Sequence, residues 1–82
     1  VPYIQKDRRA HLSCYRANLP DTPGELNYVI SMLLIRYIEQ KGLTYTHLND
    51  CIGALEGAKL EFYRRTVVPF EESKRAENGD IY

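Results

Sequence analysis

The sequence predicts an all-α protein: two long antiparallel helices, at about residues 22–41 and 45–66, with short flanking terminal helices in a small bundle. Three observations predict it. Thr22-Pro23-Gly24-Glu25 has the form of a capping box with proline at the first helical position, which marks a helix start. Apolar residues recur at three- and four-residue spacing through Leu26, Ile30, Leu33, Leu34, Tyr37 and Ile38, and again through Leu48, Cys51, Leu55, Ala58 and Phe62. No stretch alternates apolar and polar residues as a strand does, and no Asn-Gly hairpin joins β-rich runs.

Taken in order, Val1 to Ile4 contains Pro2 and reads as extended. A short helix follows from about Lys6 to Ala17, with Leu12, Tyr15 and Leu19 on its apolar edge. Asn18-Leu19-Pro20-Asp21 reads as a loop. In the capping box, Thr22 is expected to accept from the N–H of Glu25, and Glu25 to reach back to the N–H of Thr22. The first long helix then runs to Lys41 and stops at Gly42. Val29, Met32 and Ile35 spread its apolar surface nearly all round, as in a helix buried on several sides. Leu43 and Thr44 make the turn, and the second long helix starts near Thr44 or Thr46. Gly53 and Gly57 each cost about 1 kcal/mol against alanine inside a helix, which suggests a close approach by another backbone. Pro69 is expected to kink or end this helix. Pro69-Phe70-Glu71-Glu72 suits the first turn of a fresh one, with acids at its positive end. Asn78-Gly79 closes that segment, and Asp80-Ile81-Tyr82 forms a tail.

Eleven Lys+Arg balance 11 Asp+Glu in 82 residues, and 44% of the residues are hydrophobic, so residues 1–82 read as one globular domain. Disorder needs lower hydrophobicity and higher net charge. Zero net charge argues against general nucleic-acid binding. No apolar run approaches the roughly 18 residues of a membrane helix. Lys6, Asp7, Arg8, Arg9 and Arg16 do not fit a signal peptide. Two cysteines do not make a disulfide scaffold, which points to the cytoplasm. A domain this small buries only about 60–65% of its unfolded surface, so a homo-oligomer is expected.

No catalytic motif is present, so the chain is not read as an enzyme and no cofactor is implied. The acids Glu56, Glu61, Glu71, Glu72 and Glu77 do not form the paired motifs of helical, magnesium-dependent nucleotide pyrophosphatases. Ser13, Ser31 and Ser73 have no His/Asp pattern, and there is no glycine-rich phosphate loop. His11-x-x-Cys14 and His47-x-x-x-Cys51 each share a helical face. Structural zinc ligands usually sit in tight turns, and Cys51 falls in an apolar stripe where a buried thiol is common, so no metal site is assigned. Arg8, Arg9 and Arg16 cluster without forming a recognition helix.

A polar stripe stands out. Asn49, Glu56 and Tyr63 recur at intervals of seven, Lys59 follows Glu56 by three, and Arg64 and Arg65 come next. This inventory suits a polar organic anion: arginine binds phosphate bidentately, tyrosine stacks on a base, and Asn or Glu reads polar edges. The same residues also suit a solvated face, with an intrahelical Glu56–Lys59 pair and arginines compensating a helix C-terminus. Seven tyrosines and no tryptophan add Tyr3, Tyr28 and Tyr82 as interface candidates.

Tyr3-Ile4, Asp7-Arg8 and Gly24-Glu25-Leu26-Asn27-Tyr28 open a longer pattern. It continues through Asn49-Asp50, Gly53-x-Leu55-Glu56, Lys59-Leu60-Glu61-Phe62-Tyr63-Arg64-Arg65, Pro69-Phe70-Glu71 and Glu77-Asn78-Gly79-Asp80-Ile81-Tyr82. Over nearly the whole chain this resembles a family of short uncharacterised proteins from phages, prophages and bacteria. The resemblance implies a helical fold and a phage context, and no activity. Gly57 stands where the family pattern leads one to expect cysteine or alanine, which argues against essential thiol chemistry. In that context the stripe reads as the site of a homo-oligomeric sponge that sequesters a nucleotide-type second messenger of host defence. Lys59, Arg64 and Arg65 would neutralise phosphates, tyrosines among Tyr28, Tyr63 and Tyr82 would stack on the base, and Asn49 or Glu56 would read its edges. The alternative is a protein-interaction module, an inhibitor or adaptor docking on a host or virion protein through the apolar face of residues 22–41.

Overall fold

The computed structural model describes residues 4–12 and 19–81. Helix α1 spans Lys6–Leu12, α2 Pro23–Lys41, α3 Tyr45–Phe62 and α4 Val68–Asn78. A π-helical turn, Tyr63–Val67, joins α3 to α4 without a break, so residues 45–78 form one rod of 34 residues. The described residues contain no strand. The expected first helix is described as far as Leu12. Its continuation through Tyr15 to Ala17, like Tyr3, Cys14, Arg16 and Tyr82, lies outside the described residues.

Local hydrogen bonds fix the hairpin. Thr22 has extended backbone, and its hydroxyl accepts from the N–H of Glu25 at 3.1 Å. The Glu25 carboxylate reaches one residue further back than expected and accepts from the N–H of Asp21 at 2.7 Å. Gly42 ends α2 at φ +106°, donating to the Ile38 carbonyl at 2.7 Å. That backbone region is open essentially to glycine alone. Two residues on, the Thr44 hydroxyl accepts from the N–H of His47 at 3.2 Å and starts α3. His47 Nδ1 then donates to the Gly42 carbonyl at 2.9 Å, tying the start of α3 to the end of α2.

Near this turn Leu33, Leu34 and Tyr37 meet Asp50, Cys51 and Ala54 around an apolar cavity of about 340 Å³. Cys51 is the one buried residue among those described; Ile30, Leu34 and Ile38 are half-buried. Beyond the hairpin, α4 touches only the π turn, and α1 touches no other element among the described residues. Among the described residues one chain therefore makes a hairpin with a protruding arm. It exposes 7871 Å², where size scaling gives roughly 5,050 Å² for a folded 9.5 kDa protein. The radius of gyration is 16.5 Å, against about 12 Å for a compact chain of this length.

Pro69 neither ends nor restarts the helix. A proline inside an α-helix lacks one donor and collides with the carbonyl four residues earlier. Here the N–H of Val68 bonds to the Tyr63 carbonyl, five residues back, and the backbone stays helical from Phe62 through Val68. The wider turn relieves the collision at the cost of one extra residue. That residue rotates everything downstream by about 100°. The apolar row ending at Phe62 therefore continues at Val67 and Phe70 instead of Thr66 and Pro69. Tyr63 shows the same shift: its hydroxyl donates to the Glu71 carboxylate at 3.4 Å, across eight residues instead of seven.

Candidate functional site

The candidate ligand residues divide into three groups. Asn49, Glu56 and Tyr63 keep a common line along the outside of α3, and Glu71 extends it across the π turn through the Tyr63 hydrogen bond. Lys59 stands beside this line and pairs with Glu56 at 3.5 Å, with side chains 72% and 55% exposed. An exposed pair of this kind contributes little, about 0–1 kcal/mol, so the ammonium remains available to an incoming anion.

Arg64 and Arg65 leave the line, because one and two residues beyond Tyr63 turn them about 100° and 200° away. Both lean back on Glu61. Arg65 Nε donates to Glu61 Oε2 at 2.6 Å, and Arg64 donates to Oε1 of the same carboxylate. Desolvation pushes the Glu61 carboxyl up. The Arg65 hydrogen bond and the charges of Arg64 and Arg65 outweigh it and hold the group below its ordinary value. The expectation that one face carries both guanidinium groups with Asn49, Glu56, Lys59 and Tyr63 is thus corrected: the arginines pair with Glu61 on another side of the rod. The expectation that they compensate a helix end also falls, since the helix continues past them.

Tyr28 lies on α2 and is exposed; Tyr82 lies outside the described residues. Cavities among the described residues lie elsewhere. Besides the apolar one in the hairpin, one of about 320 Å³ lies among Glu71, Glu72, Arg75, Gly79, Asp80 and Ile81. Another, of about 680 Å³, lies along Ile4 to Arg9. None of them is lined by Asn49, Glu56, Lys59, Tyr63, Arg64, Arg65 or Tyr28. The stripe is therefore an open surface on a single chain. Gly53 and Gly57 likewise face open space, with no other backbone approaching them. His47 is committed to the turn, and among the described residues no three His, Cys, Asp or Glu side chains gather to hold a metal ion. No described helix is long and apolar enough to cross a membrane.

What sequence spacing missed is a second apolar row on α3. Tyr45, Leu48, Ile52, Leu55 and Phe62 alternate at three- and four-residue steps with Lys59, and all five are exposed. Spacing alone merges Leu48, Leu55 and Phe62 with Cys51 and Ala58 in one stripe, whereas in the fold Cys51 and Ala54 are the residues that meet α2. The signal was present as a strict heptad pattern.

Fold and surface together define an all-helical hairpin protein with unpartnered apolar rows and no enclosed polar site among its described residues. The chain matches the family described as a domain of unknown function, DUF6899, over residues 1–81, and it belongs to that family. No curated protein and no solved structure matches it.

Proposed function

We propose that this is a non-enzymatic, self-associating binding protein that sequesters a nucleotide-type anion between copies of the chain. The observation that carries the reading is the placement of Lys59 and Tyr63: both are exposed beside an apolar row that stands exposed among the described residues. On one chain they face water, where a single cation holds an anion weakly. Packing of copies through the apolar rows would bring several such lines together and exclude water, which strengthens every charge contact. Lys59 supplies an ammonium for phosphate, Tyr63 and Tyr28 supply flat rings for a base, and Asn49 and Glu56 supply edge-reading groups. Sequestration needs affinity without turnover, which suits a sequence in which no catalytic motif is read. The likeness to short phage and prophage proteins supports an anti-defence role, against a nucleotide immune signal in the cytoplasm of a bacterial host cell.

The test is a thermal-shift screen against cyclic nucleotides, linear nucleotides and ADP-ribose derivatives. A ligand at about 100 times its dissociation constant stabilises by roughly 2.7 kcal/mol. At about 4–8 °C per kcal/mol, a selective rise of more than about 10 °C is expected, lost in Lys59→Gln, which keeps the apolar stem and removes the charge, while the assembly persists. A flat panel with assembled, folded protein would overturn the ligand and favour a second reading. That reading is a protein-interaction module, supported by the row Tyr28, Met32 and Ile35 on the side of α2 away from Leu34 and Tyr37. Tyr28 and Ile35 are among its most exposed residues.

A further inference from the structure

The exposed row of α3 points to its own occupant. Tyr45, Leu48, Ile52, Leu55, Lys59 and Phe62 follow the alternating three–four step of a coiled-coil seam for the full length of the helix. Tyr45, Ile52 and Phe62 are 87%, 65% and 62% exposed, and Leu48 and Leu55 are each 40% exposed. The chain's surface exceeds that of a compact protein of its mass by about 2,800 Å². A standard interface removes only about 800 Å² from each partner. One copy thus has ample surplus to cover another.

We propose that this row docks antiparallel on the same row of a second copy, so that the two α3 helices form the central pair of the assembly. This rests on the self-association proposed above and adds its residues, direction and register. The order of the side chains carries it. In the antiparallel register every position finds a partner: Tyr45 meets Phe62 of the second copy, Leu48 meets its Lys59, and Ile52 meets its Leu55. The two-fold axis falls between Ile52 and Leu55, so the best aliphatic layers sit at the centre. The two Lys59 ammonium groups then lie about 16 Å apart along the axis. Each stem covers a Leu48 while its charge stays beside Glu56. A parallel pairing would instead stack Lys59 on Lys59 inside the seam.

The flanks agree with this direction. On one side Cys51 and Ala58 are small, and Cys51 is buried towards α2, so each copy keeps its own hairpin partner. On the other side the antiparallel register sets Asn49 level with Glu56 of the second copy, within about two residues along the axis. There the amide can donate to the carboxylate. The sevenfold Asn49–Glu56 repeat read as a ligand stripe is, on this account, also the polar border of the seam. Val67 and Phe70 continue the row past the π turn.

Sedimentation equilibrium on the full chain tests it, with Leu48→Glu and Leu48→Lys compared. The antiparallel register places position 48 opposite Lys59, so the glutamate variant should associate at least about tenfold more tightly than the lysine variant, with equal helicity by circular dichroism. Equal association of the two would overturn the register while leaving self-association standing. A wild-type chain that is monomeric at millimolar concentration would overturn both. Should the variants fold poorly, spin labels on Thr46→Cys, in a Cys14→Ser background, read the direction without touching the seam. A label separation of about 20 Å or more supports the antiparallel pair, and one below about 15 Å overturns it.

Discussion

The carboxylate of Glu61 accepts from both Arg64 and Arg65, and that triad orients two guanidinium groups whose side chains stay 65% and 78% exposed. Guanidinium groups three and four residues after a glutamate are placed by helix geometry to close on it. A reading that followed Asn49, Glu56 and Tyr63 at intervals of seven had no reason to look at position 61. Residue-scale features governed by short fixed spacings were legible: Thr22 and Thr44 cap their helices, and Gly42 ends α2. The competition between a free cation and a local carboxylate was not, because it depends on which rotamers the two arginines share. A pH dependence follows from the same group. Its native pKa lies below the ordinary 4.5. The native state therefore gains from the ionised form, fully so above the unfolded value, and loses that gain as pH falls through the depressed native value. Acid titration of helix content by circular dichroism should show a loss in that window for the wild type and a smaller one for Glu61→Gln. Superimposable titrations would show that the triad contributes nothing to stability.

At the scale of elements, α2 was legible to within a residue at both ends, because a capping box and a glycine stop bound it chemically. The second long helix was legible at its start and not at its end. The proline rule assumes α-helical spacing, and a π turn satisfies Pro69 outside that assumption. The inserted residue also accounts for a contact that straight spacing forbids, Tyr63 to Glu71. Pro69→Ala should let the segment relax to a regular α-helix. Proline is worse than alanine by about 3 kcal/mol in a helix interior, partly offset by its restriction of the unfolded chain, so a net gain of about 1–2 kcal/mol is expected. The relaxed helix rotates Glu71 away from Tyr63. Tyr63→Phe should then cost about 0.5 kcal/mol in the wild-type background and nothing in Pro69→Ala, as measured by thermal unfolding of the four variants. Equal cost in both backgrounds would mean that the π turn does not set this contact.

For the whole molecule, the expectation of self-association came from chain length and from the nearly all-round apolar surface of residues 22–41, and the exposed apolar side chains of α2 and α3 are what would drive it. A chain whose described residues include only Cys51 as a buried side chain has little with which to offset the entropy of ordering 82 residues. Its helices are set by caps and turns, yet the apolar surface that should stabilise them faces outward on α2 and α3. If the chain self-associates as proposed, folding and assembly are one equilibrium, and stability depends on concentration. If the unit is a dimer, each tenfold dilution costs about 1.4 kcal/mol per pair, or about 0.7 kcal/mol per chain. At about 4–8 °C per kcal/mol for a domain of this size, the thermal midpoint should fall by roughly 3–6 °C per decade. Melting curves from micromolar to millimolar chain would show it, and a trimer or larger unit would steepen the slope. A midpoint independent of concentration over that range would mean that the single hairpin is stable on its own. The exposed rows of α2 and α3 would then be free to receive a different protein.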